Sequence, residues 1–124
     1  MLRRDMFKAG MGLAVAGALT LGAGAGAALA QDKQVIGVAI PSATHGFMGG
    51  LNFHAREAIK RLETTYPSLS FVLATSGDAG KMVNDIEDMV ATRDIDALVV
   101  LPFESEPLTA PVQAVKAQGI WVTV

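Results

Sequence analysis

Ser42, Thr44, His45 and Phe47 combine hydrogen-bonding groups with an aromatic ring inside one short segment, Pro41-Ser-Ala-Thr-His-Gly-Phe47. A sugar asks for this mixture: its hydroxyls need directional donors and acceptors, and the C–H face of its ring needs a flat apolar surface. Phe103, in the stretch Pro102 to Ser105, offers a second aromatic ring. Backbone N–H groups at the start of the helix expected near Gly49 would add donors. The bland reading makes Phe47 a core plug and His45 a bystander, and the residues alone leave both readings open.

Other chemistries find less support. A phosphoacceptor domain needs acids after strand one and an Asp closing strand three, but those ends read Ile40-Pro41-Ser42 and Leu101-Pro102-Phe103. No serine lies in a GxSxG elbow, and Gly77 and Gly80-Lys81 are wrongly spaced for a phosphate-binding loop. Gly22-Ala-Gly-Ala-Gly-Ala27 matches a relaxed dinucleotide fingerprint, yet no acid follows at the distance that would hold a ribose. With no cysteine, disulfides, thiolate metal sites and a thiol nucleophile are excluded. Of the two histidines, His45 belongs to a loop and His54 to a helix, where Asn52 and Glu57 are its expected local partners. Asp85, Glu87, Asp88, Asp94 and Asp96 read as a solvated helix face and the turn after it. Neither a metal, a cofactor nor an enzymatic activity is expected.

The elements that would position the candidate loop follow from hydrophobic patterning. Val35–Ile40 is an unbroken apolar run stopped by Pro41, as in a strand buried on both faces. From Gly49 to Tyr66, Leu51, Ala55, Ala58, Ile59 and Leu62 recur at helical spacing, and Pro67 ends the pattern. Leu69–Thr75 reads as a second strand. Asp78 is placed to cap a helix carrying Met82, Val83, Ile86, Met89 and Val90. Asp96–Pro102 reads as a third strand, and Glu106-Pro107 opens a helix with Leu108, Val112 and Val115 facing inward. Gly119 closes that helix, and Ile120–Val124 is a fourth strand.

The order β-α-β-α-β-α-β predicts an α/β fold with three layers: an open parallel sheet, right-handed crossovers and helices on both faces. Ligands of such sheets bind outside the carboxyl ends of the strands, where Ser42, Thr44, His45, Phe47 and Phe103 fall. The sequence stops in or directly after strand four, so a fragment of a larger lobe is expected, with apolar surface and a sheet edge left open.

Residues 1–30 read differently from the rest. Met1-Leu-Arg-Arg-Asp-Met-Phe-Lys8 precedes 22 residues without a charge, nine of them Ala and six Gly, ending in Ala28-Leu29-Ala30. A positive start, an apolar run and a small-x-small cleavage site describe an export signal, here of twin-arginine type because of Arg3-Arg4 and the weakly hydrophobic run. Cleavage after Ala30 is expected, against the alternative of a retained anchor. Residues 31–124, the expected domain, hold seven Lys and Arg against eleven Asp and Glu. That acidic balance disfavours a nucleic acid partner.

Val35-Ile-Gly-Val-Ala-Ile-Pro-Ser-Ala-Thr-His-Gly-Phe47, the helix after it, and Asp94-Ile-Asp-Ala-Leu-Val-Val-Leu-Pro102 followed by Pro107-Leu108 resemble the periplasmic sugar-binding proteins of ABC transporters, the ribose-binding type. The resemblance implies part of the N-terminal lobe of a type I periplasmic binding protein, truncated within that lobe. It further implies a periplasmic location, a small-molecule sugar as ligand and a membrane permease as partner of the intact protein. Carried over by position, Phe47 matches the aromatic that stacks on the sugar, and His45 stands where ribose binders usually carry an Asn. Ser42 is near a position lining the cleft. The Asp-Arg pair that clamps the sugar would begin after Val124. The alternative is a sugar-sensing effector domain, as in lactose-repressor-like regulators or chemotaxis co-receptors.

Overall fold

A computed structural model describes residues 32–124; the expected export segment, residues 1–30, lies outside the described residues. The elements are β1 (Gln34–Pro41), α1 (Gly46–Thr65), β2 (Leu69–Ser76), α2 (Ala79–Arg93), β3 (Ala97–Val100), α3 (Ser105–Ala117) and β4 (Trp121–Thr123). All neighbouring strands pair in parallel, in the order β2-β1-β3-β4. The expected α/β class, element order and parallel sheet are all present.

Strand alternation divides the side chains between two faces. Ala39, Leu98 and Val100 join Met82, Ile86 and Met89 of α2 and Leu108 and Val115 of α3 in a buried cluster, and the partly buried Val35 and Val122 pack against it. Ile36, Val38 and Ile40 therefore point to the opposite side. Helix α1 lies on that side and makes its main sheet contacts with β2, while α2 and α3 pack on each other across the sheet. The molecule thus has one thick apolar layer and one thinner layer.

Local chemistry explains where the helices stop and start. The Asp78 carboxylate accepts from the Lys81 backbone N–H at 2.7 Å and caps α2 as expected. Asp94 ends α2 in the left-handed region at φ 51°, and Gly119 releases the chain after α3 at φ 86°. Helix α3 carries Pro107 in its first turn and Pro111 further in. Pro111 removes a backbone donor within a helix that is short and exposed along much of its length.

Two acids make contacts beyond their own segment, and one of them, Asp85, departs from the expected solvated role. Asp96 accepts from the Val35 backbone N–H at 2.7 Å, so it ties the turn before β3 to the start of β1. Asp85 is half-buried and accepts from the Ser76 hydroxyl at 2.7 Å and from the Lys81 ammonium at 2.7 and 2.8 Å. Asp96 stays exposed in the turn after α2, as expected, whereas a helix-face pattern does not show that the Asp85 flank meets the end of β2. Burial pushes the Asp85 carboxyl up, but the hydrogen bonds from Lys81 and Ser76 and the Lys81 charge outweigh it and hold the group below its ordinary 3.8.

Gly37 lies on the crowded face, where a Cβ would meet Met89 Sδ at 2.9 Å and Ile95 Cδ1 at 3.0 Å. Gly37→Val is expected to cost about 1–3 kcal/mol by overpacking, read as a lower midpoint in urea unfolding. A second expectation concerns acid. Because Asp85 titrates below its unfolded value, its stabilisation is present above 3.8 and lost as pH falls through the folded value. Asp85→Asn should therefore be less stable at neutral pH and should lose less stability on acidification, as measured by denaturant midpoints at both pH values.

Candidate functional site

The site begins with how β1 ends. Pro41 is the last residue of the strand, and Ser42 N–H donates to the Ser76 carbonyl at 2.8 Å, continuing the β1–β2 ladder by one residue. The chain then turns, with Thr44 N–H donating to the Ser42 carbonyl at 2.9 Å. His45, extended at φ −155°, is the cap residue of α1, and its side chain makes no capping hydrogen bond. Helix α1 starts at Gly46, three residues before the Gly49 expected from patterning. Phe47 therefore sits in the first helical turn, where Gly46, Gly49 and Gly50 weaken the periodic signal.

The earlier start corrects one expectation. Gly49 N–H is not a free donor, because it donates to the His45 carbonyl at 2.9 Å. The N–H groups left without an intrahelical partner are those of the first turn, closer to His45.

Asn52 fixes this turn in place, and sequence reasoning missed its role. It is buried, and its Nδ2 donates at 2.9 Å both to the Pro41 carbonyl and to the Met48 carbonyl. One amide thus clamps the first turns of α1 to the end of β1, on either side of the candidate loop. It is not a partner of His54, whose exposed ring instead meets Phe53 edge-on at 5.4 Å. A polar residue on the apolar stripe of a helix was the available signal.

Three loops gather at the carboxyl edge of the sheet. Ser42 Oγ lies 4.0 Å from where a Gly77 Cβ would stand, so the loop after β2 borders the loop after β1. On the other side Leu101 N–H donates to the Ala39 carbonyl at 3.0 Å and brings in the loop that carries Phe103. The order β2-β1-β3 places the reversal of chain direction beside β1, and the candidate loop opens there. Ser42 is half-buried; Thr44, His45, Phe47 and Phe103 are exposed, Phe47 at 72% and Phe103 at 37%. Phe47 is not a core plug.

A cavity lies to one side of these loops. An open groove of about 770 Å³ runs between α1 and β3, lined by Val38, Ile40, Leu51, Val99 and Leu101 with Phe47 at one end. It takes in none of Ser42, Thr44, His45 or Phe103. With His54 as its one titratable side chain, it offers little to a ligand rich in hydroxyls. Among the described residues no group of three or more His, Asp or Glu could hold a metal ion, and no helix is long and apolar enough to cross a membrane.

Solved structures share this arrangement. An ABC transporter periplasmic solute-binding protein from Actinobacillus succinogenes with bound D-allose superposes over 73% of this chain, with a TM-score of 0.59 and 18% identity. The chain has the fold of the type I periplasmic binding proteins. A solute-binding protein from Mycobacterium smegmatis with bound glycerol matches 73% of the chain at TM-score 0.56 and 28% identity. The fructose-binding periplasmic domain of a hybrid two-component system matches 72% at TM-score 0.60 and 26% identity. The chain spans 30%, 30% and 28% of these three proteins respectively. No protein-family model matches the sequence, and no curated protein does. These neighbours are solute-binding proteins and not enzymes.

The Asn52 clamp is open to a direct test. Asn52→Leu should leave the buried Pro41 carbonyl without its donor and cost about 1–3 kcal/mol. Amide hydrogen exchange should rise first at residues 46–49, before the rest of α1.

Proposed function

We propose that this chain supplies one wall of a sugar site in a periplasmic solute-binding protein that serves an ABC importer. The observation that carries the reading is the position of the Ser42–Phe47 loop: it leaves the central strand at the switch point of a periplasmic-binding-protein fold. The neighbours' bound D-allose and glycerol support a ligand built from hydroxyl-bearing carbons.

In this reading Phe47 stacks on the C–H face of the sugar ring, and His45 makes one hydrogen bond to a hydroxyl. Ser42 and Thr44 contribute hydroxyls beside it, and Phe103 closes the apolar side from the loop after β3. The unpaired first-turn N–H groups of α1 add backbone donors. Five such groups form one wall only, and a second lobe supplies the opposing wall and excludes water. The same closed form docks on the permease. Export by the twin-arginine route, with cleavage after Ala30, delivers the chain to the periplasm. A sensory role is the second reading, favoured by the likeness to the fructose-binding domain of a two-component system. It would exchange the permease for a membrane-bound signalling partner.

Calorimetric titration of the two-lobed protein against a panel of pentoses, hexoses and polyols tests the site. Phe47→Ala forfeits roughly 1.5–3 kcal/mol of aromatic burial, a loss of about tenfold to a hundredfold in affinity. The loss should fall on every sugar accepted, since stacking is indifferent to hydroxyl stereochemistry. His45→Ala should instead reorder the sugars, because a directional bond reads a single hydroxyl. If neither variant changes any affinity, the loop after β1 is not part of the site. Export is tested separately: with Arg3 and Arg4 both changed to Lys, precursor should remain in the cytoplasm, and undiminished export would rule out the twin-arginine route.

A further inference from the structure

Among the described residues β2 is an outer strand of the sheet, paired with β1 along one edge only. Its sequence, Leu69-Ser-Phe-Val-Leu-Ala-Thr-Ser76, carries no charge, no proline and no glycine. A segment of that composition on an open edge is a template for a further strand. In a parallel strand, alternate residues turn both their N–H and C=O groups to the same side. The Ser68 and Ser76 carbonyls accept from the N–H groups of Gln34 and Ser42 on the β1 side. The even-numbered residues of β2 therefore face β1, and Leu69, Phe71, Leu73 and Thr75 face outward.

The chain itself already occupies the first two of these outward N–H groups. Leu69 N–H donates to the Tyr66 carbonyl at 2.9 Å, within the turn that leads into β2. Phe71 N–H donates to the Glu63 carboxylate at 3.0 Å, from the last turn of α1. Among the described residues no acceptor meets the N–H of Leu73 or Thr75. The open edge is thereby cut to the end of the strand, short of ordinary strand length. An arriving strand would have to displace the carboxylate, or bring its own carbonyl oxygen against a negative charge and take that charge out of water. We propose that Glu63 is an autoinhibitory contact on this edge: by holding the Phe71 N–H it stops β2 from adding an extended apolar strand, the β2 segment of a second copy being the one it would otherwise accept. Without Glu63 the open edge runs from Phe71 to Thr75, the usual length of a strand. The contact involves none of the candidate sugar residues and stands apart from the sugar reading.

The test uses a fluorescein-labelled peptide with the sequence of residues 69–76 and a lysine tail for solubility, titrated with the 124-residue chain and read by anisotropy. Glu63 is exposed on a helix, where alanine is the best helix former, so Glu63→Ala should keep the wild-type circular dichroism spectrum. The variant should bind the peptide about tenfold or more tighter than the wild type does, since a donor held by a charged group is released for pairing. Amide exchange at Phe71 should quicken in the same variant. The peptide N-methylated at Phe71, Val72, Leu73 and Ala74 keeps its apolar side chains but has lost donors on both edges, and it should show no such gain. Equal peptide affinity of the wild type and Glu63→Ala overturns the proposal. A methylated peptide that gains as much as the unmodified one also overturns it, because the contact would then be adhesion to an apolar surface and not strand pairing. So does a Phe71 amide that exchanges equally fast with and without the Glu63 carboxylate, since that carboxylate would then not be holding the N–H.

Discussion

Strand β1 is paired along both edges, with β2 on one side and β3 on the other, and its run Val35–Ile40 presents apolar groups alternately to both faces. A strand in that position has no solvated side, so both faces of the sheet require a cover. The need is met unequally. Helices α2 and α3 seal one face around Met82, Ile86, Met89, Leu108 and Val115, while α1 shields part of the other. The same asymmetry leaves the apolar groove between α1 and β3.

The candidate site depends on that central strand in a direct way. A polar loop leaving an edge strand would be free to move, whereas this one leaves a strand held on both sides. It is then fastened a second time by Asn52, whose amide reaches the carbonyls of Pro41 and Met48. A buried amide so placed resists substitution by apolar residues of similar size, because the Pro41 carbonyl would lose its donor. The Asp85–Ser76–Lys81 cluster does similar work at the end of β2, where the Ser76 hydroxyl is fully buried. The polar candidate residues thus stand on a strand end held from two sides, while the apolar groove lies to one side.

Polar and apolar surfaces are largely separate here. Ser42, Thr44 and His45 offer hydrogen bonds at the carboxyl edge, and the groove between α1 and β3 offers almost none. Phe47 belongs to both neighbourhoods, since it lines one end of the groove from the first turn of α1. A wide concavity is often a ligand site, but chemistry argues against a sugar in this one. A hydroxyl-rich ligand placed against Val38, Val99 and Leu101 would lose its water without gaining partners.

Patterning in the sequence was sufficient for the class and order of the elements, because the alternation of apolar runs with helical periodicity reflects burial directly. It also sufficed for the Asp78 cap, whose hydrogen bond is made within a single helical turn. The start of α1 was misplaced by three residues because glycines and an uncapped His45 carry little helical signal. Asn52 and Asp85 were misread for a different reason. Each directs its polar group to a partner outside its own helix: Asn52 to the carbonyl of Pro41, Asp85 to the hydroxyl of Ser76. Composition cannot show which strand end a helix flank will meet. The strand order β2-β1-β3-β4 decides those meetings, and it also decides which face of the sheet is left bare. It is a property of long-range pairing, and nothing local in the chain encodes it.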